Sequence, residues 1–317
     1  MARNLITGGL GFLGSSLAKS LIEDGEEVIL FDCNPSRQEF VKNYNIKDKL
    51  KIIQGDLTNW WDVLDVVKNN NIDCIYHLGA ILATNAELNP QMAYMVNIKG
   101  TFHILEVARL FSVKSVLFPS TIATYGPNAP SIVDDEIAQY PTNIYGTTKA
   151  ICERLGESYY YKFSVNFRSV RFPAIVGMRR VRSVSSYTSE IILEPALGHP
   201  YQVYVDKSTQ CPFIYIKDAV RALINLKRAN ENTLKRRVYN IESISLTAEQ
   251  EADTVKKYLP QAKIEFLPDE KVMKILNAWP KGVNGANASK EWGFQLKYSL
   301  DDIVKELVEE IKQFKRD

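Results

Sequence analysis

The first half of the chain alternates short apolar runs with longer helical patterns, and this alternation limits the possible folds more than any other feature. One helical pattern, FLGSSLAKSLIEDG, places Leu13, Leu17 and Leu21 on one face and ends at Gly25. Nearly continuous apolar runs are typical of strands buried on both faces. The runs are NLIT, EVILFD, KIIQGD, DCIYHLGA and SVLFPS. Strands that alternate with helices predict an α/β fold, with a parallel sheet covered on both sides.

Further helices are predicted between and after these strands. The second half of the chain loses the regular rhythm after about residue 172, which predicts a second domain. The predicted helices are 59–70, about 89–111, 186–197, 217–229 and the closing LDDIVKELVEEIKQF. The core-facing side chains expected on 89–111 are Met92, Met95, Ile98, Phe102, Leu105 and Ala108. We predict a doubly wound domain over 1–172, to which segments at about 205–241 return, and a smaller interleaved α/β substrate lobe mainly over 173–317.

Charge and composition exclude several classes of protein. The net charge is +2, so no overall field favours nucleic acid or an anionic membrane. No apolar run reaches the length of a spanning helix, and the start MARNLITGG lacks a signal-peptide pattern. The four cysteines form no CxxC and the three histidines have no metal-ligand spacing. We therefore expect a cytoplasmic protein without a metal, a membrane contact or a nucleic-acid partner.

A glycine-rich turn, TGGLGFLG, directly follows the first strand and opens the first helix. Gly8, Gly11 and Gly14 allow the tight turn and the close approach of backbone to a pyrophosphate, as in Rossmann-type domains. Asp32 ends the second strand and can accept the adenosine ribose hydroxyls. No arginine follows it directly, so NAD is predicted over NADP. Asp56, in QGDL, could reach the adenine or cap the next helix.

The motif YGTTK places Tyr145 and Lys149 four residues apart at the start of a predicted helix. Alone, this spacing is also typical of an ordinary helical turn. PSTIATYG, however, puts Ser120 and Thr121 at the carboxyl end of the fifth strand, where such sheets bind ligands. A lysine ammonium favours a phenolate, so Tyr145 could exchange a proton with a substrate oxygen to which Thr121 or Ser120 donates. These hydroxyls could otherwise cap the strand end.

Together, TGxxGxxG, Asp32, HLGA, PSTIATYG and YxxxK resemble the extended short-chain dehydrogenase/reductase family, over essentially the whole chain. The resemblance implies bound NAD, Tyr145 as acid/base, Lys149 as its partner and Thr121 as the hydroxyl that fixes the substrate. Asn97 would be structural or act as a relay behind the site. The implied cofactor contacts are Gly8, Gly11, Phe12, Leu13, Gly14, Asp32, Asp56, Leu57, Gly79, Ala80, Asn97, Ser120, Tyr145, Lys149 and Pro173.

A narrower likeness is to the short-chain type of L-threonine 3-dehydrogenase, through PSTIATYGPNAP, ESYYYKFSVNFRSVRFPAIVG, YNIESISLTAEQ and NAWP followed by ASKEWGF. Two departures concern the implied substrate contacts. Ala83 stands where that group has a serine. In the loop at 183–190, Ser185 and Tyr187 keep a hydroxyl and an aromatic ring, while Ser186 replaces an aspartate.

Three arginines, Arg179, Arg180 and Arg182, precede this loop. They form either a solvated basic turn or a site for an anionic substrate, because guanidinium groups match carboxylate and phosphate oxygens. The leading prediction is an NAD-dependent dehydrogenase of a threonine-like 3-hydroxy acid. The alternatives are a nucleotide-sugar epimerase or dehydratase and a non-catalytic NAD sensor. Apolar residues on more than one face of 89–111 and 145–163 further predict a homodimer.

Overall fold

The computed structural model describes residues 2–41, 49–178, 180 and 183–314. The strands are β1 Arg3–Thr7, β2 Glu27–Asp32, β3 Leu50–Gln54, β4 Cys74–His77, β5 Ser115–Thr121, β6 Ile132–Val133, β7 Phe167–Phe172, β8 Ala174–Val176, β9 Tyr201–Val203, β10 Phe213–Tyr215, β11 Val238–Asn240, β12 Ile264–Phe266 and β13 Gly282–Val283. The α-helices are α1 Phe12–Glu23, α2 Trp60–Lys68, α3 Ala83–Leu88, α4 Pro90–Ala93, α5 Gly100–Leu110, α6 Ile144–Phe163, α7 Tyr187–Leu197, α8 Ile216–Arg228, α9 Ala248–Tyr258, α10 Glu270–Asn277, α11 Ala286–Trp292 and α12 Leu300–Phe314.

The central sheet has seven strands in the order β11-β7-β5-β4-β1-β2-β3. The pairs β1–β2, β2–β3, β1–β4 and β4–β5 are parallel. From β1 the sheet therefore extends to one side through β2 and β3, and to the other side through β4, β5, β7 and β11. This reversal leaves a crevice at the carboxyl ends of β1 and β4, the position where doubly wound sheets bind ligands. The predicted Rossmann-type α/β fold is confirmed.

Burial explains why these runs form strands. Every residue of β4 and β7 is buried, and β2 is buried from Val28 to Phe31, because helices cover the sheet. The edge strand β3 has no such run of buried residues. In α1, Leu17 and Leu21 are buried as predicted, whereas Leu13 is partly exposed.

The helical stretch predicted over 89–111 is divided, and its predicted core face is partly wrong. A π-helical turn, Tyr94–Lys99, separates α4 from α5. Met92 and Phe102 are exposed, whereas Leu105 and Ala108 are buried as expected. The hydrophobic pattern missed this face because several of its buried positions are polar. These are Asn97, Thr101 and His103.

The chain divides into two compact units that alternate along the sequence. The first unit comprises 1–124, 141–171 and 220–239, and the second comprises 125–140, 172–219 and 240–317. The second unit contains three parallel two-stranded pairs, β8–β10, β9–β12 and β6–β13. Assignment of the cofactor to one unit and of the substrate to the other stays a prediction. Among the described residues, no helix is long and apolar enough to cross a membrane.

Candidate active site

The glycine turn after β1 can be built only with glycines. Gly8 has a φ of 62°, and a Cβ atom there would lie 2.7 Å from the Cα of Gly79. A Cβ at Gly14 would lie 2.5 Å from the Gly8 carbonyl oxygen. Gly11 is the N-cap of α1 and supplies no side-chain cap, so the backbone N–H groups of 12–14 remain available to a ligand. These donors and the positive end of the helix dipole fit a pyrophosphate.

Asp32 lies beside this turn, at the carboxyl end of β2. Its carboxylate accepts hydrogen bonds from the backbone N–H of Leu10, at 3.0 Å, and of Asn34, also at 3.0 Å. The two bonds orient the carboxylate next to the glycine turn. A carboxylate in this position fits the diol of an adenosine ribose and repels a 2′-phosphate.

Asp56 does not cap α2, which was one of its two predicted roles. The N-cap of α2 is Asn59, whose side chain accepts from the N–H of Trp61. Asp56 instead accepts from the N–H of Thr58 at 2.8 Å, within its own turn. Its neighbour Leu57 is buried against the predicted cofactor turn, since a Cβ at Gly79 would lie 2.6 Å from Leu57 Cδ1.

The YGTTK motif forms the first turns of α6. Lys149 is buried, and its ammonium donates to the carbonyl oxygen of Pro119 at 2.8 Å. The same Nζ lies 4.3 Å from the ring centroid of Phe118 and 6.0 Å from that of Tyr145. Burial lowers the pKa of Lys149 to about 8.

Close backbone packing brings this helix onto the segment that follows Thr121. A Cβ at Gly146 would lie 2.0 Å from the Ala123 carbonyl oxygen, so only glycine allows the contact. Thr121 Oγ1 accepts from the N–H of Ala123 at 3.2 Å, and the threonine side chain is partly exposed. Asn143, the N-cap of α6, accepts from the Gly146 N–H at 2.7 Å. Tyr145 and Thr121 are therefore adjacent to residues in direct contact.

The surroundings of the Tyr145 phenol in the cofactor-free chain do not by themselves favour the predicted phenolate. Burial raises the pKa of Tyr145 above its usual value. The predicted lowering relied on the Lys149 charge, which is directed to the Pro119 carbonyl rather than to the phenol. A phenolate at Tyr145 therefore needs a further positive charge, such as that of an oxidised nicotinamide.

A buried imidazole connects the end of β1, just before the glycine turn, with α5. His77, at the end of β4, has its Nδ1 2.8 Å from Thr7 Oγ1 and its Nε2 3.0 Å from Thr101 Oγ1. The Thr101 hydroxyl donates to the carbonyl of Asn97, and Thr7 Oγ1 accepts from the N–H of Gly79 at 3.1 Å. Burial lowers the pKa of His77 to about 3, so the imidazole is neutral at physiological pH.

Asn97 extends this chain of hydrogen bonds to α6. Its amide accepts from the Ile81 N–H at 2.8 Å and donates to the Ile81 carbonyl at 3.1 Å. It also donates to Thr148 Oγ1 at 3.0 Å, and Thr148 donates to the Tyr145 carbonyl at 2.8 Å. The turn after β4, which includes Ala80, is thus tied to the YGTTK helix. This contact pattern fits the structural role predicted for Asn97.

Ser120 is buried, and its hydroxyl donates to the carboxylate of Glu153 rather than remaining free for a ligand. Several residues of this region have hydrogen-bond partners that are distant in sequence, so no local pattern indicates their role. They are Thr7, His77, Thr101, Thr148, Glu153 and Arg171. Four of them stand inside quoted motifs, but only as neighbours of the residues to which a role was given. They are Thr7 in TGGLGFLG, His77 in HLGA, Thr148 in YGTTK and Arg171 in ESYYYKFSVNFRSVRFPAIVG.

The predicted substrate loop belongs to the second unit, as does Pro173. Arg180 donates to Ser185 Oγ at 2.6 Å and to the Ser185 carbonyl at 2.9 Å, so its guanidinium organises the loop itself. Tyr187 has no exposed surface, because its ring packs edge-on against Tyr204 with centroids 6.1 Å apart. A substrate contact at Tyr187 therefore stays a prediction, and the buried Tyr187 hydroxyl has no hydrogen-bond partner among the described residues. Ser185 is also buried. Arg179 and Arg182 lie outside the described residues. Ala83 begins α3 in the first unit.

A glycine turn at a topological switch point, an aspartate after β2 and a tyrosine–lysine pair on α6 define a dinucleotide-dependent α/β enzyme. The chain belongs to the NAD dependent epimerase/dehydratase family, whose model matches residues 4–241.

Curated relatives and solved structures narrow this similarity. The chain is 32% identical over 308 residues to the mitochondrial L-threonine 3-dehydrogenase of Bos taurus, covering 95% of this chain and 80% of that protein. A crystal structure of L-threonine dehydrogenase from Clostridium difficile is 30% identical, with a TM-score of 0.91 and coverage of 99% and 98%. A structure described as a monomeric L-threonine 3-dehydrogenase from a metagenome is 25% identical, with a TM-score of 0.90 and coverage of 98% and 99%.

Proposed function

We propose that this protein is an NAD-dependent dehydrogenase that oxidises the secondary alcohol of a 3-hydroxy amino acid, with L-threonine the first candidate. The observation that carries the proposal is the docking of α6, through Gly146, on the turn that follows Thr121. This contact gives Tyr145 and Thr121 a common neighbourhood at the carboxyl end of β5. The names of the relatives support the substrate class.

The first unit fits NAD in its shape and in its donor set. The glycine turn leaves a cradle that any Cβ would fill, and the first turn of α1 offers uncapped N–H groups to the pyrophosphate. Asp32 would accept the ribose hydroxyls, which favours NAD over NADP. Gly79 and Ala80 would line the cofactor beyond β4. When bound, NAD supplies the acceptor for the hydride that leaves the alcohol carbon.

The residues of the chain supply proton transfer and orientation. The Tyr145 oxygen takes the proton of the substrate hydroxyl, and Thr121 holds the same substrate oxygen through a hydrogen bond. Lys149 contributes positive charge within 6.0 Å of the tyrosine ring. The carbonyl that Lys149 binds belongs to Pro119, two residues before Thr121, so the lysine also attaches the helix to the strand end. The role of each residue is part of the proposal.

The experiment that tests the function is NADH formation by purified protein. NAD is supplied with L-threonine, L-allo-threonine, L-serine and 3-hydroxybutyrate, and separately with UDP-, GDP- and dTDP-sugars. Turnover of threonine with stoichiometric NADH supports the proposal. Conversion of a nucleotide sugar without net NADH would replace it by the epimerase alternative. The sensor alternative requires tight NAD binding with no turnover of any compound in the panel.

We further propose a homodimer that buries the outer face of α5 and α6. Tyr94, Phe102, Leu110 and Phe111 are exposed, and several large apolar side chains exposed along one helical stretch are typical of an interface. Leu155 and Tyr160 are only partly exposed. Tyr159, an aromatic residue of 145–163 that the apolar pattern also placed at this interface, does not contribute. This ring is buried, and its hydroxyl donates to Glu106 at 2.7 Å. Light scattering at micromolar concentration measures the oligomeric state.

A cytoplasmic location is proposed on the chemistry of the thiols. Cys33, Cys74, Cys152 and Cys211 form no disulfide bond, as expected in a reducing compartment. Fractionation of the source cells with an antibody to the protein tests this location.

A further inference from the structure

Three successive turns of α6 contact the end of β5, or the turn that follows it, through three different residues. The first contact is the backbone of Gly146 against Ala123, and the second is the Lys149 ammonium on the Pro119 carbonyl. The third is Glu153, one turn further along, whose carboxylate accepts the hydroxyl hydrogen of Ser120. The first two contacts involve the predicted catalytic motif, whereas nothing in the proposed chemistry uses Glu153.

Glu153 is paired with a second buried charge. Its carboxylate has no exposed surface, and the Arg171 side chain is only 3% exposed. Arg171 Nε lies 3.1 Å from both carboxylate oxygens, and Nη2 lies 2.9 Å from Oε2. Both partners belong to the first unit. The bidentate geometry fixes the carboxylate, so the orientation of Ser120 is set by a rigid acceptor.

Stability alone does not explain such a pair. Desolvation of two buried charges offsets much of their attraction, and well-packed apolar residues of similar volume often stabilise a fold equally well. One consequence of this pair is a fixed direction for the Ser120 hydroxyl, which donates to the Glu153 carboxylate. Ser120 immediately precedes Thr121 on β5.

We propose that Glu153 is a positioning residue, which acts through Ser120 to hold the end of β5, and with it Thr121, in the place that Tyr145 requires. The inference rests on the proposed function, in which Tyr145 and Thr121 contact the same substrate oxygen. Proton transfer needs close alignment, and a displacement of about 1 Å can cost roughly 10²-fold in rate.

The test separates positioning from stability with two variants. Ser120→Ala removes only the hydroxyl. The double variant Glu153→Met/Arg171→Met removes both charges together and keeps an apolar volume in their place. We expect kcat to fall by about 10- to 100-fold in both variants, with KM and the dissociation constant of NAD nearly unchanged. Arg154→Met is the matched control, because Arg154 contacts the same carboxylate at 3.4 Å from an exposed position, whereas Arg171 is buried.

The outcome for the double variant is decisive where it retains the thermal stability of the wild type. If the pair only stabilises the fold, a double variant with the wild-type Tm should also have the wild-type kcat. If the pair positions Ser120, kcat should stay low despite the wild-type Tm. Wild-type kcat in the double variant or in Ser120→Ala overturns the proposal. If the double variant does not fold, Ser120→Ala gives the same decision alone.

A second measurement does not depend on turnover. Amide hydrogen exchange of the cofactor-free protein should accelerate at residues 120–124 in both variants, and not in Arg154→Met. Unchanged protection of this segment overturns the proposal, whatever the activity. Failure of the proposed function has a different signature, since the wild type would then form no NADH from threonine. In that case the exchange data still decide whether Glu153 holds the end of β5.

Discussion

Acidification from pH 7.5 to pH 5 should destabilise the cofactor-free protein through His77. The Thr101 hydroxyl donates to the Asn97 carbonyl, so its oxygen must accept from the imidazole Nε2–H. Nδ1 is then the acceptor for the Thr7 hydroxyl, 2.8 Å away. Protonation of Nδ1 would force the Thr7 hydroxyl to turn its hydrogen away from the imidazole and to accept a second hydrogen bond beside that of the Gly79 N–H. The network therefore favours the neutral imidazole.

The sign and magnitude follow from linkage. The pKa of His77 is about 3 in the fold, against 6.5 for a free imidazole, because burial and the nearby Lys149 charge both disfavour the cation. The unfolded chain thus binds a proton that the folded chain refuses between pH 6.5 and pH 3. The stabilisation is complete above pH 6.5 and is lost progressively as the pH falls towards 3. At pH 5, the loss is about 2 kcal/mol of unfolding free energy, since each pKa unit corresponds to about 1.4 kcal/mol.

The assay compares urea unfolding of the wild type and His77→Gln at pH 7.5, 6 and 5. The difference between their pH slopes isolates His77, because the contributions of other groups cancel. His103→Gln is the matched control, since burial also lowers the pKa of His103 but this imidazole bonds to the Leu57 carbonyl instead. The control should retain the part of the slope that His77 supplies.

Nuclear magnetic resonance of imidazole-labelled protein gives an independent check, since the chain has three histidines. The signal lost in His77→Gln should show the Nε2–H tautomer and should not titrate above pH 5. Titration of that signal near pH 6.5, or equal pH slopes for the wild type and His77→Gln, would refute the assigned network.

The remaining predictions concern the reaction, the cofactor and the assembly. Tyr145→Phe should lower turnover by roughly 10²–10⁴-fold and leave NAD affinity nearly unchanged, and Lys149→Met should lower turnover further; near-normal turnover of Tyr145→Phe would exclude the phenol as proton acceptor. Asp32→Ala should bring the dissociation constants of NAD and NADP closer together in paired titrations. If the wild type binds NADP more strongly than NAD, Asp32 is not the acceptor of the adenosine ribose hydroxyls. Leu110→Asp should give a monomer by light scattering. The control Leu267→Asp changes an exposed leucine of the second unit and should leave the dimer intact. A monomeric wild type rules the interface out.

Local patterns in the sequence determined the fold class and the predicted cofactor and catalytic residues of the candidate site. The glycine turn, Asp32 and the Tyr145–Lys149 spacing are recognisable because each depends on a few neighbouring residues in a strand, a turn or a helix. The buried strands of the sheet were predictable for the same reason, since burial on both faces demands a continuous apolar run.

Only the tertiary structure decided which polar side chains lie behind the site. Thr7 and His77 are 70 residues apart, and Ser120 and Glu153 are 33 apart, so no local spacing indicates either bond. The same limit explains the error at Phe102. An apolar ring fits a helix pattern whether its face meets the core or the solvent, and this choice is made by the polar residues that the neighbouring elements bury. Chain folding brings those partners together, and a linear pattern does not record that contact.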